Sequence, residues 1–285
     1  MVELSDLQTT GSPSWCPGCG NFSIWQAIKT AVIELDLNPK DIVIVSGVGC
    51  SGKYPYWIKT YGFHSIHGRT LPVATGIRLA NHEINVIAIG GDGDGYSEGT
   101  NHVLHAARRN VDMAYLVCNN QIYGLTTGQV SPTSIRGTKT KTTPVGSFEW
   151  PINPISIALA AGASFVARGF AGDVRHLTDL IIKAITHEGF GFLDILQPCV
   201  TFNKVNTYKF FRERVYKLQD ENHDTKDVIK AYEKSLERGK RIPIGIFYDE
   251  KKPTYESQIS QLSKKPLSEH DISSVDVSLA MKKFV

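Results

Sequence analysis

Residues 86–95, VIAIGGDGDG, combine the pattern of a buried strand with that of a glycine-rich loop. The apolar residues at 86–89 are mostly β-branched and have no polar interruption, which is typical of a strand buried on both faces. A predicted helix and a further strand then lead to Asn119-Asn120. Asp92 and Asn120 are 28 positions apart, about the length of one strand–helix–strand unit. Both side chains are therefore expected at the carboxyl ends of neighbouring strands.

Helices and strands alternate along most of the chain. This alternation predicts an α/β fold with a mainly parallel, doubly wound sheet, which binds its ligands beyond the carboxyl ends of its strands. Helices are predicted at residues 22–35, 72–82, 98–109, from Pro154 after a capping Asn153, and at 174–187 after a capping Asp173, and strands at 42–45, 86–89, 113–118, 164–167 and 191–196.

The last third of the chain differs in composition. Residues 208–241 are dense in charged side chains and predict a solvated helical arm, whereas residues 242–248 (IPIGIFY) are apolar enough to dock back. We therefore expect an α/β domain over residues 1–200 and a C-terminal helical or extended arm over residues 201–285, which packs on that domain or on a partner subunit.

The composition is that of an ordinary globular chain. It has 285 residues, of which 41% are hydrophobic and 21% charged, and a net charge of +3. No apolar run approaches the roughly 20 residues that a spanning helix needs, and residues 1–8 lack the pattern of a secretory signal. The near balance of charge predicts neither nucleic-acid binding nor a polybasic membrane patch. We expect a cytoplasmic protein without nucleic-acid or membrane partners.

The loop of Asp92 predicts an oxygen-lined corner. The Asp92 carboxylate, the Asn120 amide oxygen, a backbone carbonyl and diphosphate oxygens would together suit octahedral Mg²⁺, and the glycines would let the backbone approach the phosphates. A tight Asp-Gly turn without any ligand is the simpler alternative.

The five cysteines are too few for a disulfide scaffold at this length. Cys16 and Cys19 form a C-x₂-C turn, while Cys50 and Cys199 each follow a predicted strand. Cys118 ends a strand and is expected to pack in the core. The other four cysteines are enough for one [4Fe–4S] cluster. A zinc knuckle or a redox dithiol is the alternative for the pair, although there is no second close pair and no strand precedes the first.

Several of these motifs together resemble a known family. The GDG pattern at residues 91–93 followed by Asn119-Asn120 resembles the thiamine diphosphate-binding motif. Combined with WCPGCGN at 15–21, SGVGCSGK at 46–53, His67-Gly68-Arg69 and the late Pro-Cys pair, it resembles the β subunit of 2-oxoacid:ferredoxin oxidoreductases. The resemblance is dense over residues 15–201 and looser at 242–247.

This resemblance implies a sheet of the thiamine diphosphate-binding type and a set of cofactors. Mg²⁺ would be held by Asp92, Asn120 and the carbonyl of Ile122, and one [4Fe–4S] cluster by Cys16, Cys19, Cys50 and Cys199. The residues expected to contact the thiamine cofactor are Val48, Gly49, Cys50, Ser51, His67, Gly91, Gly93, Asp94, Gly124, Leu125 and Thr126.

The resemblance also implies the reaction and the partners. The implied activity is coenzyme A-dependent oxidative decarboxylation of a 2-oxoacid to acyl-CoA and CO₂, with electrons passed through the cluster to ferredoxin. The glutamate that assists thiamine would come from an α subunit, or a fused γα subunit, because no Glu in this chain has a convincing motif for that task. Glu98 is expected only to start a helix.

Two residues are catalytic candidates. Lys53 ends residues 47–53, which fit G-x-x-x-x-G-K, but Tyr54 replaces the Ser or Thr that a P-loop requires, so a nucleoside triphosphatase is not expected. Lys53 is instead expected to attract the substrate carboxylate or coenzyme A phosphates. His67 is expected to contact the thiamine or a reacting oxygen. A solvated lysine and a structural histidine are the alternatives.

Two other functions are also compatible with the sequence. One is a non-oxidative thiamine-dependent decarboxylase or synthase, in which the cysteines bind zinc or nothing. The other is an electron-transfer subunit that holds a cluster but no thiamine.

Overall fold

The computed structural model describes residues 1–262 and 265–284. Its strands are β1 Ile42–Ser46, β2 Tyr61–His64, β3 Asn85–Gly91, β4 Met113–Asn119, β5 Phe165–Phe170, β6 Phe190–Leu196, β7 Val215–Lys217 and β8 Ile242–Asp249. Its α-helices are α1 Gly20–Glu34, α2 Tyr54–Trp57, α3 Thr70–Ala80, α4 Thr100–Arg109, α5 Pro154–Ala160, α6 Val174–Thr186, α7 Tyr208–Arg212, α8 Val228–Ser235 and α9 Ser278–Met281.

The strands form one sheet in the order β2-β1-β3-β4-β6-β5-β8-β7. All pairs are parallel except β5 with β8, which is antiparallel. This arrangement confirms the predicted mainly parallel α/β sheet.

The central strands are apolar on both faces because helices cover both sides of the sheet. Along β3, Ile87 and Ile89 belong to one core, together with apolar residues of α1 and α6. Val86 and Ala88 belong to the opposite core, with residues of α3, α4 and α5. This two-sided burial explains why the strands appear in the sequence as continuous apolar runs.

The strand register brings the functional loops to one edge. Gly91 of β3 pairs with Cys118 of β4, so the loop of Asp92 lies beside the loop of Asn120. Ser46 of β1 pairs with Ile89, which places the loop of Cys50 on the other side of the Asp92 loop. The carboxyl ends of three neighbouring strands therefore meet, as the sequence predicted.

The C-terminal segment contributes strands as well as helices. The apolar stretch predicted to dock back does so as β8, whose Ile244 and Phe247 side chains are buried. The sequence predicts helix throughout residues 208–241, whereas the structure has β7 at Val215–Lys217 between two short helices. That strand is only three residues long, half-buried and set among charged residues. The sequence therefore shows no strand pattern there. The predicted boundary at residue 200, between a cofactor-binding domain and an arm that contacts the domain or a partner subunit, stays a prediction.

None of the helices among the described residues is long and apolar enough to cross a membrane.

Candidate active site

A cleft lies where the loops after β1, β3 and β4 meet the loop before α3. It is lined by every residue predicted to contact the thiamine cofactor and by the three predicted to hold Mg²⁺. The lining residues are Val48, Gly49, Cys50, Ser51, His67, Gly91, Asp92, Gly93, Asp94, Asn120, Ile122, Tyr123, Gly124, Leu125 and Thr126. The fold thus brings these sequence-distant residues together, while their individual roles stay predictions.

Asp92 is a buried carboxylate held by hydroxyl groups. Its Oδ2 accepts hydrogen bonds from Ser131 Oγ at 2.5 Å and Thr133 Oγ1 at 2.6 Å. Its Oδ1 accepts one from the backbone N–H of Asn120 at 3.3 Å. Burial raises the pKa of Asp92 to about 6, although these hydrogen bonds oppose the shift. Among the described residues, no cationic side chain forms an ion pair with it. A buried carboxylate of this kind is a suitable ligand for a metal cation.

Asn120 and Ile122 belong to a tight turn after β4. The Oδ1 of Asn120 accepts a hydrogen bond from the Ile122 amide at 3.0 Å, and Gln121 between them has a φ of 59°. Because a carbonyl oxygen has two lone pairs, Asn120 Oδ1 can still bind a cation. The turn therefore fits the predicted Mg²⁺ ligands.

Asp94 joins three loops of the site. Its Oδ1 accepts hydrogen bonds from the backbone amides of Val48 at 2.9 Å and Gly68 at 2.8 Å, and its Oδ2 accepts one from Thr70 Oγ1 at 3.1 Å. A Cβ on Gly47 would lie 1.9 Å from Asp94, so this approach requires glycine. Asp94 lines the cleft, and its carboxylate fixes the loop geometry.

His67 faces a carboxylate that the sequence did not link to it. Its Nδ1 lies 3.0 Å from Glu98 Oε2 and 3.7 Å from Asp94 Oδ1. Tyr123 Oη donates to the same Glu98 oxygen at 3.3 Å. The sequence expected Glu98 only to start a helix, and it does precede α4, at the end of a π-helical turn over Asp94–Glu98. No sequence spacing could reveal this contact, because the loops meet only through the sheet.

The four predicted cluster cysteines form one electrostatic group. Burial first, and then the proximity of Cys199, Cys50 and Cys16, raise the pKa of the Cys19 thiol to about 12. Burial, Cys199 and Cys16 likewise raise the pKa of Cys50, while Lys53 opposes that shift. Cys50 Sγ and Cys199 Sγ each lie 3.7 Å from the position that a Cβ on Gly124 would occupy. The sulfurs thus adjoin the cleft that Gly124 lines.

Hydrogen bonds tie together the three segments that carry these cysteines. The Gly20 amide donates to Pro198 O at 3.2 Å, and Gln197 Nε2 donates to Cys19 Sγ at 3.3 Å. Trp15 Nε1 donates to Cys50 O at 2.7 Å. These bonds fix the C-x₂-C turn against both the loop after β1 and the segment after β6.

Cys118 has a different environment. It is 1% exposed and belongs to the core on the α1 and α6 side of the sheet. Its Sγ donates to Tyr54 Oη at 3.7 Å, and burial raises its pKa. The prediction that Cys118 packs in the core is confirmed.

Lys53 lies in the loop after β1, three residues after Cys50. Its Nζ donates to Ser14 Oγ at 3.1 Å, and it is not among the residues that line the cleft. Its positive charge acts on Cys50. The predicted contact with substrate or coenzyme A stays a prediction.

Over residues 1–262 and 265–284, no three His, Cys, Asp or Glu side chains converge so as to hold one metal ion. A [4Fe–4S] cluster does not require such convergence, because it is held by four thiolates distributed around a multi-iron body.

Comparisons with known proteins agree with this arrangement. The family model of the C-terminal TPP-binding domain of thiamine pyrophosphate enzymes matches residues 47–195. A second family model, for the C-terminal part of the pyruvate ferredoxin oxidoreductase beta subunit, matches residues 199–264.

Relatives match over most of their length. The 2-oxoacid:ferredoxin oxidoreductase subunit beta of Saccharolobus solfataricus is 48% identical over 275 residues, covering 90% of each chain. The subunit beta of 2-oxoacid:ferredoxin oxidoreductase 1 of Aeropyrum pernix is 45% identical, covering 90% of this chain and 85% of the relative.

A solved structure shares the fold. The 2-oxoglutarate:ferredoxin oxidoreductase from Magnetococcus marinus, with 2-oxoglutarate, coenzyme A and succinyl-CoA bound, superimposes with a TM-score of 0.91 and 38% identity, covering 99% of this chain and 96% of that one. The thiamine-binding domain, the relatives and this structure together place the chain among oxidoreductases. The chain belongs to the β subunits of the 2-oxoacid:ferredoxin oxidoreductase family.

Proposed function

We propose that this chain carries thiamine diphosphate, Mg²⁺ and one [4Fe–4S] cluster in an enzyme that converts a 2-oxoacid and coenzyme A to acyl-CoA and CO₂. Two oxidised ferredoxins would accept the two electrons. The observation that carries this proposal is the place of Gly124, which lines the cleft and faces the sulfurs of both Cys50 and Cys199. The bound thiamine cofactor and the iron–sulfur cluster that accepts its electrons would therefore be neighbours.

The residues of the cleft fit thiamine diphosphate with Mg²⁺. Asp92, Asn120 and the carbonyl of Ile122 would hold the cation, whose charge would compensate the buried Asp92 carboxylate. Gly49 has a φ of 126° and no atom within 4 Å of its Cβ position, which leaves its backbone open to a phosphate. When bound, thiamine diphosphate supplies the electron sink for decarboxylation.

The residues of the cysteine group fit an iron–sulfur cluster. The raised pKa values of Cys19 and Cys50 disfavour their ionisation without a metal, whereas iron would stabilise all four sulfurs as thiolates. The ligands would be Cys16, Cys19, Cys50 and Cys199. Such a cluster can accept electrons singly. This distinguishes the proposal from a non-oxidative decarboxylase or synthase, in which no electron acceptor is needed.

The chain's own groups would orient reactants and protons. His67, held beside Glu98, would face the reacting centre and could exchange a proton there. Lys53 lies one turn from Cys50 and would attract the anionic groups of substrate or coenzyme A.

The cleft of this chain is only part of a complete site in this proposal. Its enclosed part measures about 70 Å³, well below the roughly 300–1,000 Å³ of pockets that enclose a drug-sized ligand. Much of the cofactor would therefore be covered by another chain, the α or fused γα subunit, which would also supply the catalytic glutamate. We propose that residues 201–285 contribute to that contact and that residues 1–200 hold the cofactors, in a reducing cytoplasm.

The test uses the complete complex prepared without oxygen. Pyruvate, 2-oxoglutarate and branched 2-oxoacids are each supplied with coenzyme A and oxidised ferredoxin. One acyl-CoA and one CO₂ should form for every two ferredoxins reduced. Release of CO₂ without reduction of the acceptor would favour the non-oxidative alternative and overturn this proposal.

A further inference from the structure

A second cavity of about 280 Å³ lies behind the loop after β4. It is placed between the carboxyl ends of β5 and β6 on one side and residues 151–154 and 206–211 on the other. It shares no lining residue with the cleft described above. Its lining combines Arg168, Arg238 and Asn206 with the apolar side chains of Ile152, Leu196 and Phe210.

Arg168 presents unused hydrogen-bond donors at this cavity. Its side chain is 9% exposed, and its Nε donates to Asp194 Oδ2 at 3.1 Å. The other Asp194 oxygen accepts from Tyr96 Oη and Asn119 Nδ2, both at 2.9 Å. Within residues 1–262 and 265–284, the two terminal nitrogens of Arg168 have no hydrogen-bond partner. The buried ion pair therefore fixes the guanidinium but leaves its outer edge available.

A second guanidinium, that of Arg238, lines the same cavity. Arg238 Nη1 donates to Pro151 O at 3.3 Å, and burial together with the charge of Arg168 lowers the pKa of Arg238. Two cations that repel each other in a partly enclosed space are stabilised by an anion between them.

Both acidic side chains that line the cavity, Asp194 and Glu237, are already engaged. Glu237 lines the same cavity, but its Oε1 lies 2.8 Å from Lys234 Nζ and its Oε2 accepts from Tyr216 Oη at 2.6 Å. Asn206 is 4% exposed, and its Oδ1 accepts from Asn203 Nδ2 at 3.1 Å. This leaves the Nδ2 of Asn206 as a further donor in the described part of the chain. The cavity thus offers donors without a free carboxylate.

We propose that this cavity binds a small organic carboxylate, with the carboxylate between Arg168 and Arg238 and the apolar body against Ile152, Leu196 and Phe210. Arginine binds carboxylates through charge-assisted, often bidentate hydrogen bonds. The apolar lining favours an organic acid over an inorganic anion, which would leave that surface uncovered. The cavity volume is larger than the roughly 150 Å³ of a cavity that holds benzene, so it suits a small organic acid.

A carboxylate bound in this cavity would contact the loop after β4, which carries the predicted Mg²⁺ ligands, on the side away from the cleft. Asn119, Gln121 and Thr133 form one wall of the cavity. Gln121 lies between the predicted Mg²⁺ ligands Asn120 and Ile122, and Thr133 Oγ1 donates to Asp92 Oδ2. The cavity is therefore a separate site that adjoins the cleft through a single layer of side chains.

The test is a titration of the assembled complex with 4-fluorobenzoate, followed by fluorine NMR. Saturable binding is expected, and Arg238→Gln should weaken it at least tenfold because one of the two cations is lost. Arg109→Gln is the matched control, since Arg109 is an exposed arginine at the end of α4 outside the cavity. Its affinity should equal that of the unmodified complex.

Addition of thiamine diphosphate and Mg²⁺ separates this site from the cleft. Neither should displace the fluorobenzoate. Absence of saturation, equal affinity in Arg238→Gln, or displacement by thiamine diphosphate would each overturn the proposal. Because the readout is binding and not turnover, the result is independent of whether the complex oxidises 2-oxoacids.

Discussion

Cys118 lies in β4 and Cys199 follows the neighbouring strand β6, yet their surroundings assign them different roles. Cys118 is enclosed by the core and bonded to Tyr54, whereas Cys199 faces Gly124 beside Cys50. The sequence could separate them because one lies within an apolar strand and the other follows Pro198. It could not reveal the shared position at Gly124, which depends on how two loops fold over the sheet edge.

Serine substitutions test this division of the cysteines. Cys199→Ser should lose most of the cluster iron, because a serine oxygen is a poorer iron ligand than a thiolate. Cys118→Ser is the matched control and should keep its iron. Iron analysis of the anaerobically purified complex measures both, and the reverse pattern would contradict the assignment.

Asp92→Asn tests the proposed cation site. The substitution keeps the side-chain volume but removes the charge that would bind Mg²⁺, so retention of thiamine diphosphate should fall at least tenfold. The iron content should stay unchanged, because no hydrogen bond in the described part of the chain joins Asp92 to the four predicted cluster cysteines. Calorimetry with thiamine diphosphate and Mg²⁺ measures the first quantity, and undiminished binding would exclude Asp92 as a ligand.

At the scale of elements, the central strands and the flanking helices were largely predictable from the sequence. Their continuous apolar runs and their caps, Asn153 and Asp173, are local signals, and both side chains do accept hydrogen bonds from their helices. The antiparallel β8 and the short edge strand β2 were not predictable. Pairing direction depends on distant partners, and Tyr61–His64 is exposed throughout and lacks a strand pattern.

The loop before α3 depends on a glycine. Gly68 has a φ of 73°, and a Cβ there would lie 2.6 Å from the Glu98 Cβ. Gly68→Ala should therefore lower the free energy of unfolding by about 2 kcal/mol and weaken thiamine retention.

A second glycine provides the control. Gly76 lies within α3, and no atom is within 4 Å of its Cβ position. Gly76→Ala should raise stability by about 0.5–1 kcal/mol, since alanine favours helix. Urea unfolding of both variants checks the difference, and equal effects would show that the loop tolerates a side chain.

The start of α6 predicts a pH effect. Burial alone would raise the pKa of Asp173, but hydrogen bonds from Lys217 and the His176 amide outweigh it and hold the pKa below its ordinary value. Stability from this carboxylate is therefore present above the unfolded pKa of about 4 and is lost as pH falls through the lower folded pKa.

Asp173→Asn isolates the charge, because asparagine also caps helices. The variant should lose up to about 1 kcal/mol at pH 7, as expected for a partly exposed ion pair, and its stability should fall less between pH 5 and 3. Urea unfolding across that range provides the measurement. Parallel pH profiles for the two proteins would contradict the assignment.

At the scale of the whole molecule, the sheet edge brings together two groups of residues that lie apart in the sequence. One group is formed by the two loops that carry Asp92 and Asn120, and the other is the set of four cysteines. Gly124 lies between them. The central claim is that this neighbourhood couples 2-oxoacid oxidation to reduction of an iron–sulfur cluster on this chain.

Electron paramagnetic resonance of the anaerobic complex after addition of 2-oxoacid and coenzyme A tests that claim most directly. The account predicts a reduced-cluster signal in the unmodified complex that is absent in both Cys199→Ser and Asp92→Asn and is retained in Cys118→Ser. An unchanged signal in Cys199→Ser would contradict it, because the electrons would then be accepted elsewhere.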